Sequence, residues 1–207
     1  MIDYLFSQYK DYPTAIIVLE ITAVFFGLLS VWFAKKNNIL VFPTGLINTS
    51  IYVYLLWKWS LLGDMMINAY YFAMSIYGWY HWTRSKEGVV EYPIARMSYK
   101  EKKTALLLFI ASTLFVTIVY LFFNKFTNWM SYLDTFITGV FFVGMWLMAK
   151  RKIENWILWI IGDVLSIPLY FAKGYTFTSL QYILFTLIAV YGYFEWKKIL
   201  NKHNQTY

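Results

Sequence analysis

Two polar side chains, Asn48 and Asp163, lie near the middle of long apolar segments. Each comes twelve residues after a basic residue, Lys36 for Asn48 and Arg151 for Asp163. A buried amide or carboxylate is costly in an apolar environment unless it has a partner or a ligand. The matched spacing therefore predicts that both line one solute-binding site at the same depth. Hydrogen bonding between helices is the alternative for both.

Two tryptophans share a helix face with Asp163. Trp156, Trp159 and Asp163 are spaced i, i+3 and i+7, which places them on one side of a helix. Two indoles beside a carboxylate can hold a flat cationic ring by stacking and cation–π attraction. We therefore predict binding roles for Trp156 and Trp159. For Trp156, an interfacial anchor is the alternative.

Amides and tyrosines on two other segments complete the candidate site. Asn68 and Tyr71 fall on one face of their segment, and Gln181 and Tyr182 are expected at the level that faces Asn68. The amide of Gln181 can both donate and accept hydrogen bonds, which suits a ribose or an amide group.

Residues for catalysis or metal binding are missing from the sequence. It has no cysteine and two histidines, His81 and His203, so neither a thiolate nor a histidine metal site is expected. No Ser–His pair on a shared face and no glycine-rich phosphate loop is present. We expect no enzyme activity, no catalytic residue, no metal and no cofactor.

The segments that must position these residues are long enough to cross a membrane. The composition is 60% hydrophobic and 14% charged, and the apolar residues occur in runs of the length that spans a bilayer. We predict seven transmembrane helices in an all-α integral membrane protein, at residues 14–34, 38–57, 63–82, 104–123, 131–149, 155–172 and 177–196.

The basic residues alternate between the two ends of these segments. Of the 18 lysines and arginines, all but Lys10, Lys58, Lys125 and Lys173 lie in the loops after spans one, three and five or in the C-terminal tail. This bias predicts the N-terminus outside and the C-terminus in the cytoplasm. It also explains the net charge of +7 without a nucleic-acid partner.

A three-helix unit is repeated along the chain. Glu20 and Trp32 in span one correspond to Asp134 and Trp146 in span five, and similar aromatic motifs close spans three and seven, at an offset of 114 or 115 residues. Because one span separates the copies, both have the same orientation. The sequence predicts a 3+1+3 parallel repeat, with units 1–82 and 131–207 around a linker at 83–130, and a solute site between them.

Several motifs together resemble the Pnu family of vitamin transporters over nearly the whole chain. They are Glu154-Asn155-Trp156 with Trp159, Gly174, Gln181-Tyr182, Gly45-Leu46-Ile47-Asn48, Asn68-Ala69-Tyr70-Tyr71 and Tyr77-Gly78-Trp79-Tyr80 with Trp82. The family's Trp-x-x-Trp element corresponds to Trp156 and Trp159, and its amide positions to Asn48, Asn68 and Gln181. Some members carry an uncharged residue where Asp163 stands.

The resemblance implies a fold and a function. It implies the architecture of full-length SWEET sugar transporters, a homotrimer and a location in the bacterial inner membrane. The implied activity is facilitated diffusion of nicotinamide riboside, which is trapped by phosphorylation in the cytoplasm. Close relatives carry thiamine, so a thiamine transporter is one alternative. A non-transporting membrane receptor or assembly module is an alternative of another class.

Overall fold

The computed structural model describes residues 13–58, 62–86, 89–90, 92–172 and 176–205. This part of the chain forms seven long helices and one short antiparallel hairpin, β1 (Ser85–Lys86) with β2 (Val89–Val90). The helices are α1 (Thr14–Lys35), α2 (Val41–Lys58), α3 (Leu62–Thr83), α4 (Tyr99–Phe122), α5 (Trp129–Ala149), α6 (Asn155–Ala172) and α7 (Thr176–Gln205). Each of the seven predicted spans coincides with one of these helices.

Within the described residues, four helices are long and apolar enough to cross a membrane. They are α1, α4, α5 and α6. The polar and tyrosine side chains of α2, α3 and α7 lower the average hydropathy of those helices.

Six helices form a closed ring. Along the chain α1 packs on α2 and α2 on α3, and α5 likewise packs on α6 and α6 on α7. The ring closes through α1 against α7 and α3 against α5. At the second of these contacts, Tyr70 stacks on Phe142 with ring centroids 4.1 Å apart and donates its hydroxyl to the Phe142 carbonyl at 3.0 Å. Helix α4 packs mainly on α5, outside the ring.

The two groups of three helices have matching bounds. Helix α2 begins at Val41 and α6 at Asn155, 114 residues later, and both contain 18 residues. Helices α1 and α5 end at Lys35 and Ala149, again 114 residues apart. The left-handed residues that follow α1 and α5, Asn37 (φ 51°) and Arg151 (φ 54°), have the same offset.

Four buried rings cross the ring of helices at one end. They run Phe42, Trp82, Trp196, Trp156, with successive centroids 4.9, 5.9 and 5.6 Å apart. We call them the four-ring row. Phe42 and Trp156 pack against Gly78 and Gly192, where a Cβ atom would overlap the ring. Glycine at these positions therefore lets the helices approach closely.

Two indole hydrogen bonds join the three-helix groups beside this row. Trp82 on α3 donates its Nε1–H to the carbonyl of Ala149, the last residue of α5, at 3.1 Å. Trp196 on α7 donates to the carbonyl of Ala34 in the last turn of α1, at 2.9 Å. Both indoles donate to carbonyl groups in the last turn of a helix. Carbonyl groups at this position often lack a hydrogen-bond partner within the helix.

The segment before α4 is tied to the loop between α5 and α6. The Ala95 N–H donates to the Arg151 carbonyl at 3.1 Å, and the Ile153 N–H donates to the Ala95 carbonyl at 3.0 Å. The Arg151 guanidinium donates to the Tyr92 carbonyl at 3.0 Å and lies 4.2 Å from the centroid of Trp82. Burial lowers the pKa of Arg151 to about 10, so it stays charged at neutral pH.

Helix α4 begins at a polar cap rather than at the first apolar residue. Ser98 and Glu101 form a capping box, and Glu101 pairs with Lys152 at 3.1 Å. Burial raises the pKa of Glu101, but hydrogen bonds from Ser98 and Lys152 outweigh it and hold the pKa below the usual value. The Glu154 carboxylate accepts the Met97 N–H at 3.1 Å. These contacts fix the start of α4 on the loop that precedes α6.

Candidate functional site

An aromatic group gathers four rings from four helices. Trp159 on α6 lies 6.5 Å from Tyr71 on α3 and 5.2 Å from Phe141 on α5, measured between centroids. Phe141 in turn lies parallel to Tyr182 on α7, at 6.3 Å and an interplanar angle of 9°. We call Tyr71, Phe141, Trp159 and Tyr182 the aromatic group. Three of its members were predicted as binding residues.

Asp163 is the buried charged residue of this region. Its side chain is 3% exposed, and it comes one helical turn after Trp159 on the same face of α6. The carboxylate is close enough to the hydroxyl groups of Tyr71 and Tyr182 to interact electrostatically with both. In the described part of the chain it forms no ion pair with a basic side chain.

Glycines bring α5 and α6 together at this level. The Phe141 ring packs directly onto Gly162, the residue before Asp163, where a Cβ atom would overlap it. A Cβ atom on Gly144 would lie 3.5 Å from the Trp159 indole, in ordinary contact. The close packing at Gly162 places a phenyl ring against α6 at the residue that precedes Asp163.

Asn68 and Gln181 lie on the helices that supply the tyrosines. Asn68 is partly buried on α3, one turn before Tyr71. Gln181 is partly buried on α7, directly before Tyr182, so its side chain leaves the helix about 100° away from Tyr182. Each amide is thus within three residues of a tyrosine of the aromatic group in the sequence.

Trp156 has a different environment from Trp159. It is 1% exposed, its ring would lie 2.7 Å from a Cβ atom on Gly192, and it stands perpendicular to Trp196 in the four-ring row. The indole is thus packed among protein side chains. This position fits neither of the two roles predicted for Trp156, which were an anchor at the membrane surface and a ring that faces a solute.

Asn48 forms a hydrogen bond between two helices, which was the alternative to a binding role in the sequence analysis. Its Nδ2 donates to the Ala23 carbonyl on α1 at 2.7 Å. The amide also lies against Gly27, since a Cβ atom there would be 2.8 Å from Nδ2. Asn48 therefore holds α2 against α1.

The helix bounds offset Asn48 and Asp163 by one residue between the two three-helix groups. With the 114-residue offset of the helix bounds, Asn48 corresponds to Gly162, and Thr49 corresponds to Asp163. Counting from the basic residues gave 115, and one residue turns a side chain by about 100° around a helix. Thr49 is 5% exposed and Asp163 is 3% exposed, as expected for matched buried positions.

Phe141 was not predicted from the sequence. It stands in a run of apolar residues on α5 and carries no polar signal. Its place in the site follows from the glycine that faces it on α6. No group of three or more histidine, aspartate or glutamate side chains that could hold a metal ion occurs among the described residues.

The helices and this interior define an α-helical, multi-pass membrane protein with a buried candidate site where aromatic rings lie close to Asp163. The chain belongs to the family described as nicotinamide mononucleotide transporter, whose profile matches residues 17–198.

The relatives are named as vitamin transporters. The nicotinamide riboside transporter PnuC of Escherichia coli (strain K12) is 26% identical over 86% of this chain and 84% of its own length. PnuC of Neisseria mucosa is 30% identical over 86% of this chain and 71% of its own. The riboflavin/roseoflavin transporter RibM of Streptomyces davaonensis is 25% identical over 84% and 88%.

A solved structure agrees with the fold. The crystal structure of the vitamin B3 transporter PnuC matches with a TM-score of 0.67 and 25% identity, over 89% of this chain and 83% of that one. The resemblance to the Pnu family is confirmed, and the chain is a PnuC-like membrane vitamin transporter.

Proposed function

We propose that this protein carries nicotinamide riboside across the bacterial inner membrane by facilitated diffusion. The observation that carries the proposal is that Asp163 is buried beside the rings of the aromatic group and forms no ion pair with the described residues. Nicotinamide riboside is a flat cation with a sugar and no phosphate. Aromatic faces and a carboxylate suit its pyridinium ring, and the amides of Asn68 and Gln181 suit its ribose and carboxamide.

The proposed binding residues are Asn68, Tyr71, Trp159, Asp163, Gln181 and Tyr182, with Phe141 added. Asn48 and Trp156 are left out because each has a packing role within the protein.

A phosphorylated substrate fits this interior less well. The mononucleotide carries a phosphate dianion, which would need a basic partner. Among the described residues, no basic side chain pairs with Asp163, and the buried Arg151 is bonded to Tyr92 in a loop between helices. Thiamine, another flat cation without phosphate, is the alternative substrate.

We propose that the two three-helix groups are parallel repeats, as in full-length SWEET transporters. The matching helix bounds, and the 114-residue offset between Phe42 and Trp156 and between Trp82 and Trp196 in the four-ring row, support a pseudo-twofold relation. In this arrangement the solute crosses between the repeats. The four-ring row lies between them at one end, so it must part during transport.

The remaining parts of the proposal concern orientation, energy and assembly. The lysine and arginine bias supports an external N-terminus and a cytoplasmic C-terminus. Without a nucleotide-binding motif in the sequence, the gradient of the solute drives uptake, and phosphorylation in the cytoplasm maintains that gradient. The family resemblance is the basis for a homotrimer.

Uptake into proteoliposomes tests the proposal. Labelled nicotinamide riboside should enter until the concentrations are equal, and it should accumulate when a riboside kinase and ATP are enclosed. Uptake of thiamine without uptake of the riboside would favour the thiamine alternative. Binding without entry, even with the kinase inside, would favour a receptor.

The Trp159→Ala variant tests the site. It should weaken riboside binding by about 1–3 kcal/mol, the range for stacking of a ring on an aromatic side chain. Trp57→Ala is the matched control, because Trp57 is 62% exposed on α2 and outside the aromatic group. Equal affinities of the two variants would remove Trp159 from the site.

A further inference from the structure

We infer that Asp163 selects solutes by charge: the site accepts a cationic ring and discriminates against a neutral ring of the same shape. This inference rests on the proposed function, since it concerns the same site. It assigns the selectivity to one carboxylate rather than to the shape of the pocket. It would separate this chain from a transporter for a neutral vitamin, such as the riboflavin named for RibM.

The first step is the position of the carboxylate. Asp163 is 3% exposed in the interior of the helix ring, where an unpaired charge is costly. The described residues supply no basic partner for it. A bound cation would supply the positive charge that pairs with the carboxylate. A neutral ring would leave the carboxylate without such a partner.

The second step is the neighbourhood of the carboxylate. Trp159 lies one turn away on the same helix face, the Phe141 ring rests on Gly162, and Tyr71 and Tyr182 interact electrostatically with Asp163. The faces of aromatic rings are negative, so they attract a cation in addition to the carboxylate. The ring faces and the carboxylate therefore both favour a positively charged ligand.

The third step is that the fold does not need a carboxylate at this position. The matching residue of the first three-helix group is Thr49, which is 5% exposed and donates its hydroxyl to the Gly45 carbonyl at 2.8 Å. A buried, uncharged side chain thus packs at the same place on α2. The charge of Asp163 is therefore available for recognition rather than required for helix packing.

Nicotinamide riboside and its reduced form make a matched pair of probes. The reduced dihydropyridine has nearly the same size and the same sugar, but its ring is neutral. The affinity of the purified, full-length protein for each would be measured by isothermal titration calorimetry. We expect the wild type to prefer the cation at least about a hundredfold, because the carboxylate and the faces of the aromatic rings both attract the charge.

Substitutions at Asp163 then assign the preference. Asp163→Asn and Asp163→Thr should reduce this preference at least about tenfold, mainly by weakening binding of the cation, and the aromatic rings account for any preference that remains. Asp163→Glu keeps the charge and should keep the preference even if both affinities fall. The control is Glu20→Gln, which neutralises a partly buried carboxylate on α1 and should not change the preference.

The outcomes separate this inference from the proposed function. Equal binding of both forms by the wild type, or an unchanged preference in folded Asp163→Asn, would overturn the role of Asp163 while the riboside remains the substrate. If the wild type binds thiamine and neither riboside, the proposed substrate is wrong. Thiamine and 3-deazathiamine, whose ring is neutral, then form the pair, and the same loss of preference in Asp163→Asn is expected.

Discussion

Replacing Trp82 with phenylalanine should destabilise the protein more than the same change at Trp196. Both substitutions keep a ring and remove an indole N–H that donates to a backbone carbonyl. The two carbonyls differ in their other partners. In the described part of the chain, Ala149 accepts from Trp82 alone, whereas Ala34 also accepts the Asn37 N–H at 2.9 Å.

The expected difference follows from what each carbonyl loses. A buried carbonyl that loses its last partner costs about 1–3 kcal/mol, and the loss of one bond from a carbonyl that keeps another costs about 0.5–1.5 kcal/mol. The two indoles are 4% and 0% exposed, so the loss of ring atoms is similar and largely cancels in the comparison. We expect Trp82→Phe to cost about 1 kcal/mol more than Trp196→Phe.

Denaturant unfolding in mild detergent, followed by far-UV circular dichroism, measures this difference. Fluorescence is unsuitable because the substitutions remove tryptophans. Trp79→Phe is the control on α3, since Trp79 is 40% exposed, and it should change the free energy of unfolding by less than about 0.5 kcal/mol.

The contact between Arg151 and Trp82 would also make Trp82→Phe more destabilising than Trp196→Phe, for a reason other than the carbonyl. The Arg151 guanidinium lies 4.2 Å from the centroid of the Trp82 ring, and a phenyl ring binds a cation less strongly than an indole does. The comparison is therefore repeated in an Arg151→Met background, where the difference should persist. Equal costs for the two tryptophans, or a difference that disappears in that background, would refute the explanation by the carbonyl.

Three further variants test other contacts by the same unfolding measurement. Gly192→Ala should cost about 1–3 kcal/mol by overpacking, because its Cβ would lie 2.7 Å from the Trp156 ring, and Trp156→Phe should recover part of the loss. Glu101→Gln should destabilise the protein at neutral pH and not in acid, because the pKa of Glu101 is lowered in the folded state. The stabilisation by Glu101 is present above the pKa of the unfolded chain, about 4.3, and is lost as the pH falls through the folded-state pKa. Asn48→Leu should cost about 0.5–1.5 kcal/mol and leave the affinity for the cation unchanged, whereas a loss of affinity in a folded variant would return Asn48 to the site.

The positions of the helices could be predicted from the sequence because long apolar runs need helical structure in a membrane. The prediction of 155–172 matches α6 residue for residue. Helix ends differ where polar residues decide them. Helix α4 starts at Tyr99 because of its capping box, and α7 continues to Gln205 beyond the apolar run. Hydropathy marks the apolar part of a helix and not the whole helix.

The candidate site was predictable in part. Trp159, Asp163, Tyr71 and Tyr182 are rare polar or aromatic residues within apolar runs, and the fold brings them together. The position of Trp156 depends on Gly192 and Trp196, which belong to another helix. A pattern within one helix carries no information about such distant neighbours.

The two three-helix groups agree where they pack and differ where a solute would bind. Phe42 and Trp156 fill equivalent positions in the four-ring row. At the level of the aromatic group, however, Trp159 corresponds to Gly45 and Asp163 to Thr49. A solute with a charged ring at one end and a sugar at the other has no twofold symmetry, so two identical halves could not both contact it well. Under the proposed function, the difference at Asp163 is what such a solute would recognise.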